Sequence, residues 1–563
     1  MAQASSLRSV ERLLHSRFGL RRFRPGQEHI IHNVLRGRDT LAVLPTGAGK
    51  SLCYQLPALA LRGATVVVSP LISLMADQAR KLQSIGVEPA VVNSTLSASD
   101  EAETLGRIRG ERSEVIFVTP ERLAKADFLE QLAGTRVALL VVDEAHCISQ
   151  WGHDFRPAFL EIAAAGKALG NPVILALTAT ATSAVIEDIR QGLGRPRMDV
   201  VNASVYRENL HYAVRQVSSA EEKQAALFEA IDASGGSLIV YTATVKATEE
   251  VYQLLRARAG EAGRPMYRYH GRLAAREREQ SQEGYMSASE AVMVATNAFG
   301  MGIDKPDVRA VIHYQTPASV EAYYQESGRA GRDEDPARCL LLFDMADTRV
   351  QSFFLRGRYP GQPELALLVR ALADAGSTPR DVASLKERLP DLALTKLRVA
   401  LRLLVDAGIV RKRRSGFSVA EGAGGEEALG AVVETYAQRG EDDRAKLEQM
   451  ISYAHTAQCR WKYLLEYFGE TPPWERCGGC DNCEHPITVG AAEPERTDAA
   501  AAAAATVRRF VPGQRVATPT YGRGTVQEVH GEKLTVRLDD GEERQFMQSF
   551  LRPAGPARAR PAG

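Results

Sequence analysis

The chain has 563 residues, of which 45% are hydrophobic and 25% charged, a composition typical of soluble globular proteins. No apolar run approaches the roughly 20 residues that a membrane helix needs, and the N-terminus lacks an apolar signal core, so we expect a cytoplasmic or nucleoid-associated protein without membrane contact. One hydrophobic core cannot serve this length, and a net charge of +1 leaves any nucleic-acid contact to local basic patches.

Short apolar runs alternate with helical stretches from about residue 25 to residue 345. The runs are apolar on both faces, and most of them lead into Ser, Thr or Asp. This pattern is typical of buried parallel strands whose carboxyl ends carry loops. We therefore predict an α/β fold with two units, at 1–205 and 206–348. The clearest predicted strands lie at 65–68, 115–118, 138–142, 173–177, 238–241 and 292–294.

A phosphate-binding motif follows the predicted strand at 40–44 and opens a helix. Its glycines let backbone N–H groups surround phosphates, Lys50 can reach the β- and γ-phosphates, and the Ser51 hydroxyl can bind Mg²⁺. A Gly-rich turn ending in a surface lysine is the simpler alternative, which the strand–loop–helix context disfavours. The residues expected to bind ATP here are Thr46, Gly47, Gly49, Lys50 and Ser51.

Two acids close the predicted strand at 138–142. An acid at this edge of the sheet, beside the phosphate loop, can hold Mg²⁺ through its water shell, and we assign that role to Asp143. Glu144 can then orient and deprotonate the attacking water. The alternative is a solvated acidic turn, which the position at the end of a second parallel strand disfavours.

Residues 325–332 offer positive charge for the departing phosphate. Arg329 and Arg332 are predicted to lie one helical turn apart on one face, and Gln325 opens the same segment. Either arginine can serve as an arginine finger across a cleft. An ordinary basic helix face is the alternative for this segment taken alone.

The region at 358–421 predicts a winged-helix-like domain of three short helices and a hairpin. The hairpin carries the most basic patch of the chain, with Arg411, Lys412 and Arg413 followed by Phe417. Basic side chains on a wing suit phosphate contact, and an aromatic tip can wedge between base pairs. A solvated turn is the alternative. The predicted elements lie at 363–375, 378–389, 393–406 and 409–419.

A Gly/Glu/Ala linker at 422–430 precedes a helical module at 431–488 that holds a cysteine cluster. Four soft ligands suit a closed tetrahedral zinc site, and an iron–sulfur cluster is the alternative. One cysteine lies in a predicted helix at 454–468, and the others lie in a turn rich in Gly, Asp and Asn. The proposed ligands are Cys459, Cys477, Cys480 and Cys483.

The chain ends in a predicted linker and a small domain. Residues 489–508 contain a seven-alanine run and are predicted to form a tether. Residues 509–553 show short strands with Gly turns, which predict a small SH3/Tudor-like β-barrel. Barrels of this size bind proteins or nucleic acid, so a protein partner is one expectation for this domain.

Together these blocks resemble the RecQ family of DNA helicases, within helicase superfamily two, over about residues 10–345 and 440–484. The most discriminating block is 148–157, which resembles the aromatic-rich loop through which RecQ proteins sense single-stranded DNA and activate ATP hydrolysis. Aromatic rings there offer stacking faces and basic groups offer phosphate contacts, whereas two aromatics packed under a loop are the alternative. The DNA contacts that the resemblance implies are Trp151, His153, Phe155 and Arg156.

Further blocks carry other functional residues of the family. Residues 23–27 resemble the adenine-reading motif, which implies that Arg24 and Gln27 contact the base. Residues 69–78 resemble a DNA-contacting motif that includes Ser69. Residues 294–306 resemble the fifth helicase motif, which implies that Asp304 binds the nucleotide. The C-terminal barrel resembles the Tudor-like tail of UvrD-type helicases.

The resemblance implies two RecA-like lobes that use ATP and Mg²⁺, a structural Zn²⁺ site, and single-stranded and duplex DNA as partners. It implies 3′→5′ unwinding during recombination, repair or replication-fork processing. An RNA helicase and a strand-annealing DNA-binding protein are the alternatives. The order of domains departs from the family, because the winged-helix-like segment lies before the zinc module and no final helical domain follows.

Overall fold

In this computed structural model the chain forms two compact units, Met1–Ile487 and Thr488–Gly563, and each is described by itself. Among the described residues, none of the helices has the length and apolarity that crossing a membrane demands. The residues that the structure describes are 7–93, 103, 104, 106, 108, 114–132, 134–149, 156–260, 263–300, 303–358, 361–376, 378–413, 416–420, 426–486, 510–518, 522–530, 533–539, 541, 543–547, 552 and 553.

The first lobe is built on a seven-stranded parallel sheet. Its strands are β1 (Thr40–Val43), β2 (Ala64–Val68), β3 (Ala90–Val92), β4 (Val115–Val118), β5 (Val137–Val142), β6 (Val173–Thr178) and β7 (Asp199–Asn202). They follow the order β3-β4-β2-β5-β6-β1-β7, and every adjacent pair is parallel. Alternate residues of β1 enter different hydrophobic clusters, with Leu41 and Val43 in one and Ala42 in the other. The sheet is therefore buried on both faces, as its continuous apolar strands predict.

The helices of the first lobe cover the two faces of this sheet. They are α1 (Leu7–Phe18), α2 (Gln27–Leu35), α3 (Leu52–Ala60), α4 (Ile72–Ser84), α5 (Pro120–Leu123), α6 (Ala126–Leu132), α7 (Ile162–Ala168) and α8 (Ser183–Gly192). Two short 3₁₀ helices, Ala145–Ile148 and Pro157–Glu161, follow β5.

The second lobe repeats the design with a six-stranded parallel sheet in the order β10-β11-β9-β12-β13-β8. The strands are β8 (Leu210–Gln216), β9 (Ser237–Tyr241), β10 (Met266–Tyr269), β11 (Val292–Ala295), β12 (Val308–His313) and β13 (Ala337–Phe343). The helices are α9 (Ala220–Asp232), α10 (Val245–Ala259), α11 (Ala275–Ser287), α12 (Val320–Ser327) and α13 (Asp347–Arg358). The prediction of two parallel-sheet lobes is confirmed.

The cysteine-bearing module shares one hydrophobic core with the second lobe. It comprises α17 (Glu426–His455), α18 (Arg460–Tyr467) and α19 (Asp481–Glu484). Tyr212 of β8 and Trp461 of α18 are both buried in this core, with ring centroids 4.9 Å apart at an angle of 87°. The Trp461 indole also donates a hydrogen bond of 3.0 Å to the carbonyl of Leu210. The module is therefore packed into the lobe and is not a separate core.

The segment between the second lobe and this module has a core of its own. It contains α14 (Gln362–Ala373), α15 (Val382–Arg388), α16 (Leu394–Asp406) and an antiparallel hairpin of β14 (Val410–Arg413) and β15 (Gly416–Val419). The predicted three helices and hairpin are therefore present.

Two details of the sequence prediction for this region are wrong. Phe417 was expected at an aromatic tip, but it lies within β15, exchanges two backbone hydrogen bonds of 2.8 Å with Arg380 and packs against the core of the segment. The linker expected at 422–430 is shorter, because α17 begins at Glu426. Its Ala and Glu residues favour helix strongly enough to extend the following element.

The second unit contains five antiparallel strands in the order β19-β18-β17-β16-β20. They are β16 (Arg515–Thr518), β17 (Gly522–His530), β18 (Lys533–Leu538), β19 (Glu543–Met547) and β20 (Arg552–Pro553). Inward-facing Val516, Val526, Leu534 and Val536 form its core. The β-barrel at 509–553 remains a prediction, and the predicted tether at 489–508 lies outside the described residues.

Candidate active site between the two lobes

The phosphate loop connects the end of β1 to the start of α3. Gly47 and Gly49 adopt positive φ angles of 87° and 76°. The positive φ of Gly49 disfavours any other residue there, and a Cβ would also lie 2.7 Å from Nε2 of Gln27. The Lys50 ammonium donates a 3.3 Å hydrogen bond to the carbonyl of Leu44, and burial lowers the pKa of this lysine despite the nearby acids. The loop thus holds backbone N–H groups and a buried cation at one point.

The two predicted acids follow β5 directly. Burial, and then the charge of Glu144, raise the pKa of Asp143 to about 7, although Lys50 opposes the shift. The hydroxyl of Ser69, at the end of β2, donates a 3.3 Å hydrogen bond to Oδ2 of Asp143. Glu144 adopts a left-handed conformation, with φ 51° and ψ 47°, which turns the chain into the first 3₁₀ helix. Both carboxylates therefore lie beside Lys50.

A short polar chain connects these acids to the end of β6. The Glu144 carboxylate lies 3.4 Å from Nδ1 of His146. The same nitrogen lies 3.1 Å from the hydroxyl of Thr178, which donates to the carbonyl of Thr180 at 3.0 Å. His146, Thr178 and Thr180 are all buried. These contacts therefore link Glu144 to residues 178–180 at the end of β6.

The two predicted arginines lie after α12, in a segment that we call the arginine turn (residues 328–332). The expectation that they share a helix face is wrong, because α12 ends at Ser327 and Gly328 caps it. Arg329 is buried and donates to the carbonyl of Gly300. Arg332 donates to Oδ1 of Asp304 at 2.9 Å. Burial and the neighbouring Arg329 lower the pKa of Arg332 below its ordinary value.

A cavity of about 340 Å³ lies between the lobes and brings the predicted nucleotide-site residues together. From the first lobe it is lined by Arg24, Thr46, Gly47, Gly49, Lys50, Ser51, Asp143 and Glu144. From the second lobe it is lined by Asp304, Gln325, Arg329 and Arg332. Sequence reasoning missed other lining residues, which are Tyr54, Leu71, Leu74, Gln78, Gly300, Ile303 and Pro306. Most of these are apolar or amide side chains whose types carry no chemical signal, so only their neighbours in the motifs could have identified them.

Ion pairs cross the cleft at the edge of this cavity. Lys81 of α4 pairs with Asp304 of the second lobe, and Arg24 pairs with Glu334 at 3.2 Å. Burial alone would raise the pKa of Asp304, but the hydrogen bond from Lys81 and the charge of Arg332 hold this pKa below its usual value. Asp304 therefore contacts the first lobe and the arginine turn at the same time.

Gln27 lies behind the phosphate loop. Its amide donates to the carbonyls of Ala48 and Gly49 at 2.9 and 3.0 Å, and its oxygen accepts from the backbone of Arg24. The Arg24 guanidinium donates to the carbonyl of Gly47. The two side chains predicted to read the base thus hold the loop itself, and only Arg24 of the pair lines the cavity.

The four predicted cysteine ligands come together in one cluster. Their sulfur atoms all lie within 4.8 Å of one another. Cys459 was expected inside a helix, but α17 ends at His455 and Cys459 caps α18. This break lets the cysteine face the turn that carries the other three. Four converging thiols fit a tetrahedral zinc ion, in which Zn–S bonds measure about 2.3 Å.

The predicted DNA contacts occupy different places. Trp151, His153 and Phe155 lie outside the described residues. Arg156 donates a 3.3 Å hydrogen bond to the carbonyl of Pro70. The buried Ser69 hydroxyl points to Asp143, a position that disagrees with DNA contact by this side chain. The wing residues Arg411, Lys412 and Arg413 are exposed on β14.

Comparisons with protein families match three parts of the chain. Residues 24–189 match the DEAD/DEAH box helicase family, and residues 222–334 match the helicase conserved C-terminal domain. Residues 424–484 match the RecQ zinc-binding family.

Curated relatives match over most of the chain. It is 36% identical to the ATP-dependent DNA helicase RecQ of Bacillus subtilis over 85% of this chain and 67% of that relative. It is 33% identical to the RecQ helicase of Synechocystis over 84% of this chain and 98% of that relative. A solved structure of the DUF1998 helicase MrfA bound to DNA shares the fold, with a TM-score of 0.51 and 18% identity over 77% of this chain and 64% of that one.

Proposed function

Given that the chain belongs to the RecQ family and is an ATP-dependent DNA helicase, we propose that it unwinds DNA in the 3′→5′ direction by opening and closing the cleft between its lobes. The observation that carries the opening and closing is the cavity lined by Lys50 and Glu144 from the first lobe and by Arg332 from the second, whereas the direction is what membership of the RecQ family implies. A site divided in this way is complete only when the lobes approach, so nucleotide binding favours closure and product release favours opening.

Each side of the cavity has its own part in hydrolysis. We propose that the phosphate loop and Lys50 hold the β- and γ-phosphates, and that Glu144 orients the water and accepts its proton. Arg332 and Arg329 stabilise the charge on the transferred group, and Gln325 lies beside them. Mg²⁺, when held by Ser51 and Asp143, supplies charge neutralisation at the phosphates.

The four cysteines are proposed to hold a structural zinc ion. The support is the convergence of four thiols, two of them buried and two half-buried, against the second lobe. Zinc there would supply only cross-linking of the module, because four protein ligands leave no open coordination position.

DNA is proposed to contact the loop that contains Trp151, His153 and Phe155, together with Arg156. Duplex DNA is proposed to contact the winged-helix-like segment through Arg411 and its neighbours. These three basic side chains are exposed on one short strand, where phosphate contact is favourable. The C-terminal domain is proposed as a β-barrel that binds a protein partner.

Unwinding of matched duplexes with a 3′ or a 5′ single-stranded tail tests the proposal. We expect ATP-dependent unwinding of the 3′-tailed duplex only, and ATP hydrolysis stimulated more by single-stranded DNA than by RNA of the same sequence. Unwinding of only the 5′-tailed duplex would reject the direction. Equal stimulation by RNA would favour the alternative RNA helicase, and DNA annealing without hydrolysis would favour the strand-annealing protein.

A further inference from the structure

Residues 203–209 connect the last strand of the first lobe to the first strand of the second lobe. Both polar backbone groups of Val205, within this connection, form hydrogen bonds to other parts of the protein. The N–H of Val205 donates to the Glu470 carboxylate at 2.9 Å, and the carbonyl of Val205 accepts from the Tyr324 hydroxyl at 2.7 Å. Arg207 lies two residues after Val205, so these hydrogen bonds hold in place the backbone that carries its side chain.

Arg207 reaches both ends of the arginine turn. Its Nη1 donates to the carbonyl of Gly328 at 2.9 Å, and its Nη2 donates to the carbonyl of Gly331. Asn209 adds hydrogen bonds of 2.8 Å to the carbonyls of Gly331 and Asp335. Both carbonyls bound by Arg207 belong to residues that follow α12, and the C-terminal end of a helix favours a positive charge nearby.

The turn is shaped to accept these contacts. Gly331 has a φ angle of 54°, and a Cβ at this position would lie 2.5 Å from Nδ2 of Asn209. Glycine is therefore required for the approach of the connection. The planar fork of an arginine suits two acceptors held at a fixed separation, which a lysine ammonium does not reproduce.

The arginine turn, the connection and the phosphate loop meet at one point. A Cβ built on Gly47 would lie 3.3 Å from Cγ of Arg332 and 3.9 Å from Nη1 of Arg207. Arg332 lines the cavity, whereas Arg207 does not. Arg207 is thus suited to act through Arg332 and not on the phosphates.

We propose that Arg207 is a positioning residue that holds the arginine turn in the shape ATP hydrolysis requires, so that the connection between the lobes sets the place of Arg332. This inference rests on the proposed role of Arg332 as an arginine finger. A displacement of about 1 Å at such a group can cost roughly 100-fold in rate, so a residue that fixes the turn has a large effect without touching the substrate.

The test uses Arg207→Met in the full chain, with Arg215→Met as control, because Arg215 lies on β8 and forms an exposed ion pair with Glu229. We measure kcat and KM for ATP with saturating single-stranded DNA, and the affinities for ADP alone and for ADP with aluminium fluoride, which mimics the transferred phosphoryl group. We expect kcat of Arg207→Met to fall by about 100-fold with KM changed by less than about 3-fold. We also expect Arg207→Met to bind ADP with aluminium fluoride no more tightly than ADP alone, whereas Arg215→Met keeps the preference for the complex with aluminium fluoride.

Retention of that preference and of kcat in Arg207→Met overturns the inference. If Arg332→Ala also keeps the kcat of the parent protein, the proposed role of Arg332 as an arginine finger is wrong. If Arg332→Ala loses activity and Arg207→Met does not, only the positioning role of Arg207 is wrong. Should Arg207→Met not accumulate as folded protein, Arg207→Lys decides, since it keeps the charge. Loss of the analogue preference in Arg207→Lys, with ADP affinity unchanged, supports the inference, and its retention overturns it.

Discussion

The hydroxyl of Tyr212 lies 2.8 Å from the hydroxyl of Ser327, and both residues are buried. Tyr212 also forms a backbone bridge with Cys480 of the cysteine cluster. Ser327 is the last residue of α12, directly before the arginine turn. A single tyrosine therefore contacts the proposed zinc site through its backbone and the residue before the arginine turn through its side chain.

Tyr212→Phe removes this hydrogen bond while it keeps the ring contacts with Trp461. We expect a loss of about 1 kcal/mol in stability, the usual contribution of a neutral buried hydrogen bond, because the Ser327 hydroxyl keeps its bond to the carbonyl of Tyr324. Urea unfolding followed by tryptophan emission measures the change. Zinc content stays the same, and a variant as stable as the parent would show that the bond contributes nothing.

Lys50→Ala should lower ATP hydrolysis by at least about 100-fold, equal to roughly 2.7 kcal/mol of transition-state stabilisation. The physical reason is the loss of the buried cation beside the two acids. DNA affinity should not change, since Lys50 lies in the cleft. Steady-state hydrolysis and fluorescence anisotropy with single-stranded DNA measure both effects, with exposed Lys125→Ala as control. Unchanged hydrolysis would reject the assigned site.

Lys81→Met removes the ion pair with Asp304 across the cleft. The pair is half-exposed, so it contributes at most about 1 kcal/mol, and we expect KM for ATP to rise by up to about 5-fold. The effect should shrink as salt screens the pair in the parent protein. Arg80→Met is a matched control, because Arg80 lies next along α4 and pairs only with Asp77, at 3.7 Å, among the described contacts. An equal KM change in both variants would show that the cross-cleft pair has no specific role.

If the four cysteines hold zinc, Cys480→Ala should abolish zinc binding and destabilise the second lobe as well as the module, since they share one core. Metal analysis and thermal melting measure the two effects. Two of the three tryptophans, Trp461 and Trp474, lie in the module, so their emission reports its unfolding. Cys53→Ala is the control for zinc content and for the general cost of truncating a buried cysteine, because Cys53 lies in a core cluster of the first lobe. Fully active and stable parent protein that contains no zinc would contradict the assignment of these cysteines as zinc ligands.

Lys412→Glu tests whether the hairpin of β14 and β15 binds duplex DNA. If this lysine contacts a DNA phosphate, log affinity for duplex DNA should depend less steeply on log salt concentration, and the magnitude of the negative slope should decrease by about 0.9. Hydrolysis stimulated by single-stranded DNA should not change, because the wing belongs to a segment with its own core. Exposed Lys167→Glu of the first lobe is the charge-matched control. An unchanged slope would mean that β14 does not bind duplex.

Local sequence patterns predicted several strands of the two lobes and the charged and phosphate-loop residues that line the cavity, but not its apolar lining. The run at 138–142 is apolar on both faces and ends in an acid, so both the strand β5 and the place of Asp143 follow from periodicity. The approach of Lys81 to Asp304 could not be predicted, because 223 positions separate the two residues and their types occur throughout the chain. Contacts of this kind depend on how the lobes face each other, which no local pattern encodes.

Two wrong predictions about helix boundaries have local causes. Arg329 and Arg332 were expected on a helix because their spacing suits one, but Gly328 ends α12 first. Cys459 was expected within a helix at 454–468, yet α17 ends at His455 and Cys459 caps the next helix, so that its thiol faces the other three. In both cases the side chain reaches the site only because the regular element stops.

The common core of the second lobe and the cysteine module also has a consequence for biosynthesis. Strand β13 ends at Phe343, and the last cysteine is residue 483, so about 140 more residues must be made before that core can close. At the usual 5–20 residues per second this takes roughly 7–30 seconds, during which Tyr212 and its neighbours lack their covering. The segment between β13 and α17 has its own core and can fold in that interval. The nascent chain therefore exposes the apolar face of the second lobe that the cysteine module later covers, while this segment folds.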